Sequence, residues 1–257
     1  MTRVLTLIRT LHLKSRWPGR SRWIVLLLLL GLPLPLSAQQ FVTEPVSAPT
    51  LGTCEVAAWH GERSSWIQPA CHLLRNLEIK GGVGSVVPKL GPRSTHYLLQ
   101  GKLILKPLRS NGNGIALVAG AVRHPRSSAV PEGFTDLFAY LPLSAALLGE
   151  ALTLHVNVGW HYDQEKDGIG VAPPDEPEPH HNVFASAKMN VVLSERFSAV
   201  GEVYANHPIM PGYQLGLRAW LLPERLQASL SYGGYAQRPE WGQGLTAGLV
   251  VTPPPLR

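Results

Sequence analysis

Residues 150–162 alternate between apolar and polar side chains almost without interruption. The apolar members of this alternation are Leu152, Leu154, Val156, Val158, Trp160 and Tyr162, and the polar or small members are Thr153, His155, Asn157, Gly159 and His161. Successive side chains of a β-strand point to opposite faces, so the segment is predicted to form a strand with one apolar face and one polar face. With 13 residues, it is also longer than the roughly 9–11 residues with which a tilted strand crosses a bilayer.

The same two-residue period recurs along most of the chain and predicts twelve strands. They lie near residues 53–60, 67–73, 77–85, 94–107, 113–123, 134–144, 150–162, 181–193, 196–206, 212–222, 226–236 and 244–252. Because the first two are short, a barrel of ten strands that follows an N-terminal hairpin stays open as an alternative. We therefore expect residues 39–257 to form one all-β domain, an antiparallel up-and-down transmembrane β-barrel.

The connections between the predicted strands alternate between short and long. The short ones are 109–114, 148–149, 194–195 and 222–225, and the long ones are 124–133, 163–180, 206–212 and 236–243. Outer-membrane barrels combine short periplasmic turns with longer extracellular loops, whereas a soluble sandwich gives no reason for the alternation. Aromatic residues also predict two girdles at the membrane interfaces. Trp160, Tyr162, Tyr213, Tyr235 and Trp241 lie near the loops, and Phe197 and Trp220 lie nearer the turns.

Residues 1–38 are predicted to form a secretory signal peptide. Residues 1–22 contain six basic residues and no acid, an apolar run follows from Trp23 to Leu32, and small residues precede Gln39. This order of basic, apolar and small residues is typical of a cleaved signal, and we expect cleavage after Ala38. The alternative is an uncleaved anchor helix, but the apolar run is shorter than the ~20 residues that a spanning helix needs.

Removal of residues 1–38 changes the interpretation of the charge. The full chain has 23 basic and 17 acidic residues, but six of the basic ones lie in the signal, which leaves 17 against 17. The net charge of +6 therefore belongs to the targeting segment and does not indicate a nucleic-acid partner. The rest of the chain has no apolar run of about 18 residues, so no transmembrane helix is expected.

The two cysteines of the chain, Cys54 and Cys71, are predicted to form a disulfide. An exported chain reaches an oxidising compartment, where cysteines pair. The midpoint between them falls in residues 60–65, so a hairpin loop there would place the two cysteines opposite each other. Two free thiols are the alternative. A zinc site is not expected, because two cysteines without paired histidines do not supply four ligands.

Several segments of the predicted barrel resemble a known family. They are residues 202–204 (EVY), 214–226 (QLGLRAWLLPERL), 244–249 (GLTAGL) and 73–79 (LLRNLEI). Together they make the chain similar to the outer-membrane family labelled "meta-pathway of phenol degradation". The resemblance covers most of residues 39–257 and implies a Gram-negative outer-membrane barrel that acts as a pore or transporter for small organic molecules.

If the apolar row of each strand faces lipid, the other row faces the lumen, the space inside the barrel. The predicted lumen residues are Glu78, Lys80, Gln100, Lys102, Lys106, His155, Asn157, Lys188, Asn190, Glu202, Tyr204, Gln214 and Arg218. The candidates for a solute path among them are Glu78, Lys80, Lys102, His155, Asn157, Lys188, Asn190, Glu202 and Arg218. Five cations and two carboxylates favour anionic or polar solutes if the lumen is open. The alternative is a closed lumen in which the carboxylates neutralise the cations.

Enzyme motifs are absent from the sequence. It lacks Gly-x-Ser-x-Gly, His-Glu-x-x-His and a phosphate-binding glycine loop, so we expect neither catalysis nor a bound cofactor. His124, His161 and Ser127 or Ser128 are the weaker candidates for catalysis near the loops. The acidic loop 163–181 ends in two histidines, but its prolines favour a solvated loop over a metal site.

Three functions fit the sequence. The first is a pore or facilitator for small organic or polar solutes in the cell outer membrane. The second is a closed structural or adhesive barrel that acts through its extracellular loops. The third is a soluble exported barrel that binds a ligand, which would place its apolar row inside. A membrane barrel implies lipid and the barrel-assembly machinery as partners, a pore adds a small-molecule solute, and none of the three implies nucleic acid.

Overall fold

The computed structural model describes residues 41–48, 50–87, 93–123, 136–163, 180–205, 211–236 and 244–254. These residues contain twelve β-strands. The strands are β1 (Cys54–Gly61), β2 (Ser64–Leu74), β3 (Leu77–Val86), β4 (Ser94–Lys106), β5 (Asn113–Arg123), β6 (Asp136–Leu147), β7 (Leu152–Asp163), β8 (His180–Val192), β9 (Phe197–Ala205), β10 (Gly212–Leu222), β11 (Leu226–Tyr235) and β12 (Gly244–Val251). The predicted strands agree with these bounds to within a few residues.

The twelve strands form one closed antiparallel barrel. Each strand pairs with its neighbours in the chain, and β1 pairs with β12 to close the sheet. That closing pair runs from Val56 opposite Val251 to Gly61 opposite Thr246. The predicted up-and-down barrel is therefore confirmed, with twelve strands rather than ten. Closure leaves no free sheet edge, which is the condition for a sheet that crosses a membrane.

Apolar side chains cover the outside of the barrel and polar side chains fill the lumen. On β7, Val156 and Val158 are 39% and 47% exposed, whereas His155 and Asn157 are 7% and 0% exposed. The other strands repeat this arrangement, with leucines and valines outside. A soluble barrel would have the reverse distribution, so the exposed apolar row argues against the alternative of a soluble ligand-binding barrel. Within the described ranges, no helix is long and apolar enough to cross a membrane.

The two rims of the barrel differ in the length of their connections. At one end, here the short-turn rim, the strands are joined by residues 75–76, 107–112, 148–151, 193–196 and 223–225. At the other end, the long-loop rim, they are joined by residues 62–63, 87–93, 124–135, 164–179, 206–211 and 236–243. The predicted alternation is thus confirmed, apart from the two-residue turn between β1 and β2 at the long-loop rim. Both the start of β1 and the end of β12 lie at the short-turn rim.

The predicted disulfide joins β1 to β2. Cys54 lies directly opposite Cys71 in the register of the hairpin, and the two form a disulfide with Cα atoms 4.0 Å apart. The hairpin turns at residues 62–63, inside the predicted loop. The bond fixes the first two strands together at the short-turn rim, next to the point where the chain enters the barrel wall.

The predicted aromatic girdles are only partly correct. Trp160 and Tyr162 lie on the outward row of β7, where their rings stack with centroids 6.2 Å apart. Phe197 is also outside and 55% exposed, and Tyr213 lies on the same row of β10 as the outward Leu215. Trp220 and Tyr235 were expected outside, but they belong to the inward rows. Trp220 lines the lumen cavity, and the Tyr235 ring contacts the buried Tyr204 ring at 6.1 Å.

Some predictions concern parts of the chain that lie outside the described residues. They are the signal peptide over residues 1–38, the girdle position of Trp241, the rim residues His124, Ser127 and Ser128, and most of the acidic loop 163–181. They remain predictions from the sequence.

An arginine in place of Leu217 tests the lipid-facing outer surface. Leu217 lies near the middle of β10 and is 57% exposed on the outside. Because an arginine there faces hydrocarbon, Leu217→Arg is expected to lower the free energy of unfolding from lipid vesicles, measured by urea titration, by about 2–4 kcal/mol. The control is Leu148→Arg, in the turn between β6 and β7, with an expected change below about 0.5 kcal/mol. Equal losses at the two positions would contradict the outward assignment.

Candidate functional site: the barrel lumen

Residues 41–48 lie inside the barrel, and we call them the inner segment. Within this segment Thr43 and Val46 are 1% and 0% exposed. One end of the segment contacts β10 through Phe41, and Val46 contacts β6 through a hydrogen bond to Ser144. The inner segment therefore crosses the lumen from one wall to another before the chain enters β1 at the short-turn rim.

Side chains of the wall satisfy the backbone groups of the inner segment. The Glu202 carboxylate accepts hydrogen bonds from the N–H of Val42 at 2.9 Å and from the N–H of Thr43. The Asn157 amide, oriented to satisfy both partners, donates to the Glu44 carbonyl at 3.0 Å and accepts from the Glu44 N–H at 2.8 Å. Buried backbone groups require such partners, so Glu202 and Asn157 position the inner segment.

Further contacts to the inner segment come from β6, β7 and β8. The Ser144 hydroxyl accepts a hydrogen bond from the N–H of Val46 at 3.1 Å, and lies 2.7 Å from Nδ1 of His155. The Lys188 ammonium donates to the carbonyl oxygen of Thr43. His155 thus acts on the segment through Ser144, whereas Lys188 contacts it directly.

An ion cluster joins the inner segment to β3 and β4. Lys80 Nζ lies 2.9 Å from Oε2 of Glu44, and Lys102 Nζ lies 3.0 Å from Oε1 of the same carboxylate. Lys102 also lies 3.1 Å from Oε1 of Glu78 and donates to the carbonyl oxygen of Ser47 at 2.9 Å. A lysine ammonium has three donors, and Lys102 directs them to two carboxylates and the backbone of the inner segment.

The Glu44 carboxyl group, which lies outside the strands, is held in its charged form. Burial alone would raise the pKa of this carboxyl, but Lys80 and Lys102 together outweigh burial and hold the pKa well below its usual range. Glu44 therefore keeps its negative charge at neutral pH. It brings to the lumen a carboxylate that the strands themselves do not supply.

Phe41 packs against the opposite wall, beside two cations. The guanidinium carbon of Arg218 lies 4.8 Å from the centroid of the Phe41 ring, and Lys188 Nζ lies 6.0 Å from it. These distances are within the range of cation–π attraction. Gly216 gives the ring room, because a Cβ at that position would come within 3.0 Å of Phe41 Cζ.

The structure places almost all of the predicted solute-path residues around the inner segment. Those that contact it directly are Lys80, Lys102, Asn157, Lys188, Glu202 and Arg218. Glu78 and His155 act through Lys102 and Ser144. Asn190 occupies the inward row of β8, two positions from Lys188 towards the short-turn rim. Lys106, expected in the lumen, is instead exposed at the end of β4 and donates a hydrogen bond to Asn113.

Sequence reasoning missed the inner segment itself. Residues 41–48 have no two-residue alternation, because they are not part of the sheet. The available signal was the charge imbalance of the predicted lumen, in which five cations faced two carboxylates. Buried charges need partners of opposite sign, so further carboxylates were required, and the structure supplies Glu44 from the inner segment and Glu55 from β1.

The lumen keeps an open volume beside the inner segment. This cavity has a volume of about 740 Å³, and its lining includes Glu44, Lys80 and Lys102 together with Tyr140 and Phe184. The Tyr140 and Phe184 rings pack edge to face with centroids 5.4 Å apart. Cavities of roughly 300–1,000 Å³ accommodate small ligands, so the lumen has room for a small molecule next to the ion cluster.

Comparison with known protein families shows the family to which the chain belongs. The model of the family described as uncharacterised conserved protein UCP029691 matches residues 46–251. The chain belongs to this family. No curated protein has a significant sequence match to it. The family description does not mention phenol degradation, so the resemblance to the "meta-pathway of phenol degradation" family stays a prediction.

Solved structures show the same fold. The KdgM porin is similar with a TM-score of 0.56 at 7% identity, over 77% of this chain and 98% of that one. The KdgM porin in complex with disordered oligogalacturonate has a TM-score of 0.56 at 6% identity, over 77% and 98%. The COG4313 outer membrane channel from Pseudomonas putida F1 has a TM-score of 0.57 at 9% identity, over 83% and 100%. The fold is thus that of outer-membrane channels.

Replacement of Lys102 by methionine tests the ion cluster. Lys102→Met leaves the buried Glu78 without its partner, so the free energy of unfolding is expected to fall by about 3 kcal/mol in urea titrations. The double variant Glu78→Gln/Lys102→Met is expected to recover part of that loss, because it also removes the uncompensated charge. Lys106→Met, at the exposed end of the same strand, is the matched control. If Lys102→Met were as stable as this control, the cluster would not contribute to stability.

Proposed function

We propose that this protein is an outer-membrane channel, a pore or facilitator for small organic or polar solutes. The observation that carries the proposal is a closed barrel whose outside is apolar and whose lumen is lined by charged and polar groups around a cavity of about 740 Å³. An apolar outside suits lipid, and a polar interior suits a path for solutes. The similarity in fold to solved outer-membrane channels supports the same function.

The charges of the barrel wall favour anionic solutes. Lys80, Lys102, Lys188 and Arg218 supply four positive groups on the wall, and Glu55, Glu78 and Glu202 supply three negative ones. Rings and clusters of cationic side chains select anions in pores. The resemblance to the "meta-pathway of phenol degradation" family adds small organic molecules as the class of solute. A solute that combines an apolar body with a negative group fits both arguments.

The remaining parts of the proposal follow from a place in the outer membrane. Residues 1–38 direct export, the barrel-assembly machinery inserts residues 39–257, and lipid surrounds the outer surface. The protein acts by transport and not by catalysis. Of the weaker catalytic candidates, the described one is His161, whose Nε2 lies 3.9 Å from the Asp136 carboxylate, and such a pair alone does not define an active site.

A closed structural or adhesive barrel is the second candidate function. The inner segment favours it, because residues 41–48 cross the lumen and bind both walls. In that case the long loops would carry the function, and the lumen charges would serve only to hold the inner segment. Measurements of ion current separate this function from a channel.

Conductance in planar bilayers tests the channel. The purified protein, shown to be folded by a gel shift between boiled and unboiled samples, is expected to give stepwise currents. In a gradient of potassium chloride the reversal potential is expected to show a preference for chloride, because the wall carries excess positive charge. Lys188→Gln is expected to weaken that preference. Lys106→Gln, which changes an exposed lysine at the barrel end, is expected to leave it unchanged.

Two outcomes would contradict the proposal that the protein is a channel. A protein that inserts and shows the gel shift but passes no current is a closed barrel. A protein that stays in the periplasmic fraction after cell lysis is not an outer-membrane protein at all.

A further inference from the structure

We propose that Lys80 and Lys102 form a binding site for a solute carboxylate, and that Glu44 of the inner segment occupies this site as a competitor built into the chain. The inference rests on the proposed channel function and names the chemical class of the solute. It also gives the inner segment a role, because a solute that takes the place of Glu44 releases a segment that crosses the lumen.

The geometry around Glu44 is that of a bound carboxylate. Lys80 Nζ donates to Oε1 at 3.0 Å and to Oε2 at 2.9 Å, and Lys102 Nζ donates to Oε1 at 3.0 Å. Both carboxylate oxygens thus receive charge-assisted hydrogen bonds, which are about twice as strong as neutral ones. Any carboxylate placed at the same point would make the same three contacts.

The two lysines belong to the barrel wall and stay in place without Glu44. Lys102 keeps a second partner on the neighbouring strand, since Glu78 lies 3.1 Å from its Nζ and opposite it in the register of β3 and β4. Lys80 lies two residues further along β3 on the same inward row. The site is therefore part of a rigid sheet.

The inner segment, in contrast, is held by side chains. In the part of the chain that the structure describes, residues 41–48 make no backbone–backbone hydrogen bond with a strand. Their partners are the side chains of Glu202, Asn157, Ser144, Lys188 and Lys102. Water can replace side-chain contacts of this kind one at a time, whereas removal of a strand from the sheet breaks a whole ladder.

A solute can reach the site through the cavity. Glu44, Lys80 and Lys102 all line the volume of about 740 Å³, and the side chains of Lys80 and Glu44 are 14% and 17% exposed. Tyr140 and Phe184 line the same cavity and offer apolar surface to the rest of the molecule. Benzoate, with one carboxylate on a small apolar body, is therefore a suitable probe, and benzamide is its neutral counterpart of the same shape.

Because Glu44 is tethered to the chain, its effective concentration determines how much it weakens the binding of benzoate. A short flexible tether gives an effective concentration in the millimolar range. Loss of the Glu44 charge is therefore expected to tighten benzoate binding at least about tenfold. The wild-type protein binds benzoate more weakly, because each binding event has to displace Glu44.

Calorimetry on the purified full-length protein in detergent micelles measures the competition. Glu44→Gln is expected to bind benzoate at least about tenfold more tightly than the wild type, and benzamide with unchanged affinity. The control is Glu195→Gln, which removes an exposed carboxylate in the turn between β8 and β9, away from the cavity. Its benzoate affinity is expected to stay within about twofold of the wild type.

The contribution of the lysines to benzoate binding is tested in the Glu44→Gln variant. Glu44→Gln/Lys80→Met is expected to lose the gain in benzoate affinity, because one of the two ammonium groups is missing. If Glu44→Gln binds benzoate no more tightly than the wild type, or if benzamide gains as much as benzoate, the proposal is overturned.

A second measurement keeps Glu44 in place and compares benzoate with benzamide in a single variant, so differences in folding between variants do not affect it. Thr43 is 1% exposed, so the thiol of Thr43→Cys reports release of the inner segment through its reaction with a charged thiol reagent. Benzoate is expected to speed this reaction at least about fivefold, by the same competition, and benzamide is expected to have no effect. A rate that benzoate leaves unchanged would overturn the proposal.

These experiments separate the site from the channel. Calorimetry and thiol labelling need no ion current, so a barrel that binds benzoate as expected but does not conduct would contradict only the channel. A conducting barrel in which Glu44→Gln has no effect on benzoate would contradict only the carboxylate site.

Discussion

The pairing of β1 with β12 is the constraint on which the rest of the structure depends. A sheet that crosses a membrane must pair every backbone group, and only a closed barrel does so. Closure puts one row of each strand against lipid, where apolar side chains are needed, and the other row in the lumen. The positive charges at inward positions, Lys80, Lys102, Lys188 and Arg218, are thereby collected in one enclosed space. They then require partners of opposite charge.

The inner segment supplies what the wall lacks. Glu44 adds a carboxylate to Lys80 and Lys102, and Phe41 places an aromatic ring over Arg218. In return, wall side chains such as Glu202 and Asn157 form hydrogen bonds with the backbone of the inner segment. The cations and the segment therefore depend on each other. This mutual dependence explains why residues that were predicted from sequence as a solute path are the same residues that hold residues 41–48.

Much of the fold could be predicted from the sequence, because the two-residue period of a strand leaves a direct record in it. That record identified β7 and the inward positions of His155 and Asn157. The pairing of Cys54 with Cys71 followed from a different signal, the hairpin loop midway between them. Trp220 and Tyr235 were misplaced because distance from a turn was weighed above their inward parity. The inner segment left no periodic record, and its contacts span 160 residues from Val42 to Glu202 and 98 from Val46 to Ser144. Contacts this distant in the chain follow from the closed barrel and not from local pattern.

Protection of a cysteine at Thr43 tests most directly whether the inner segment lies inside the barrel. Both native cysteines form a disulfide, so a single introduced thiol reports alone. Without added solute, Thr43→Cys in the folded barrel is expected to react with a charged thiol reagent at least about tenfold more slowly than Thr50→Cys, because Thr50 is exposed. After unfolding in urea the two rates are expected to be equal. Equal rates in the folded barrel would contradict a lumen occupied by residues 41–48.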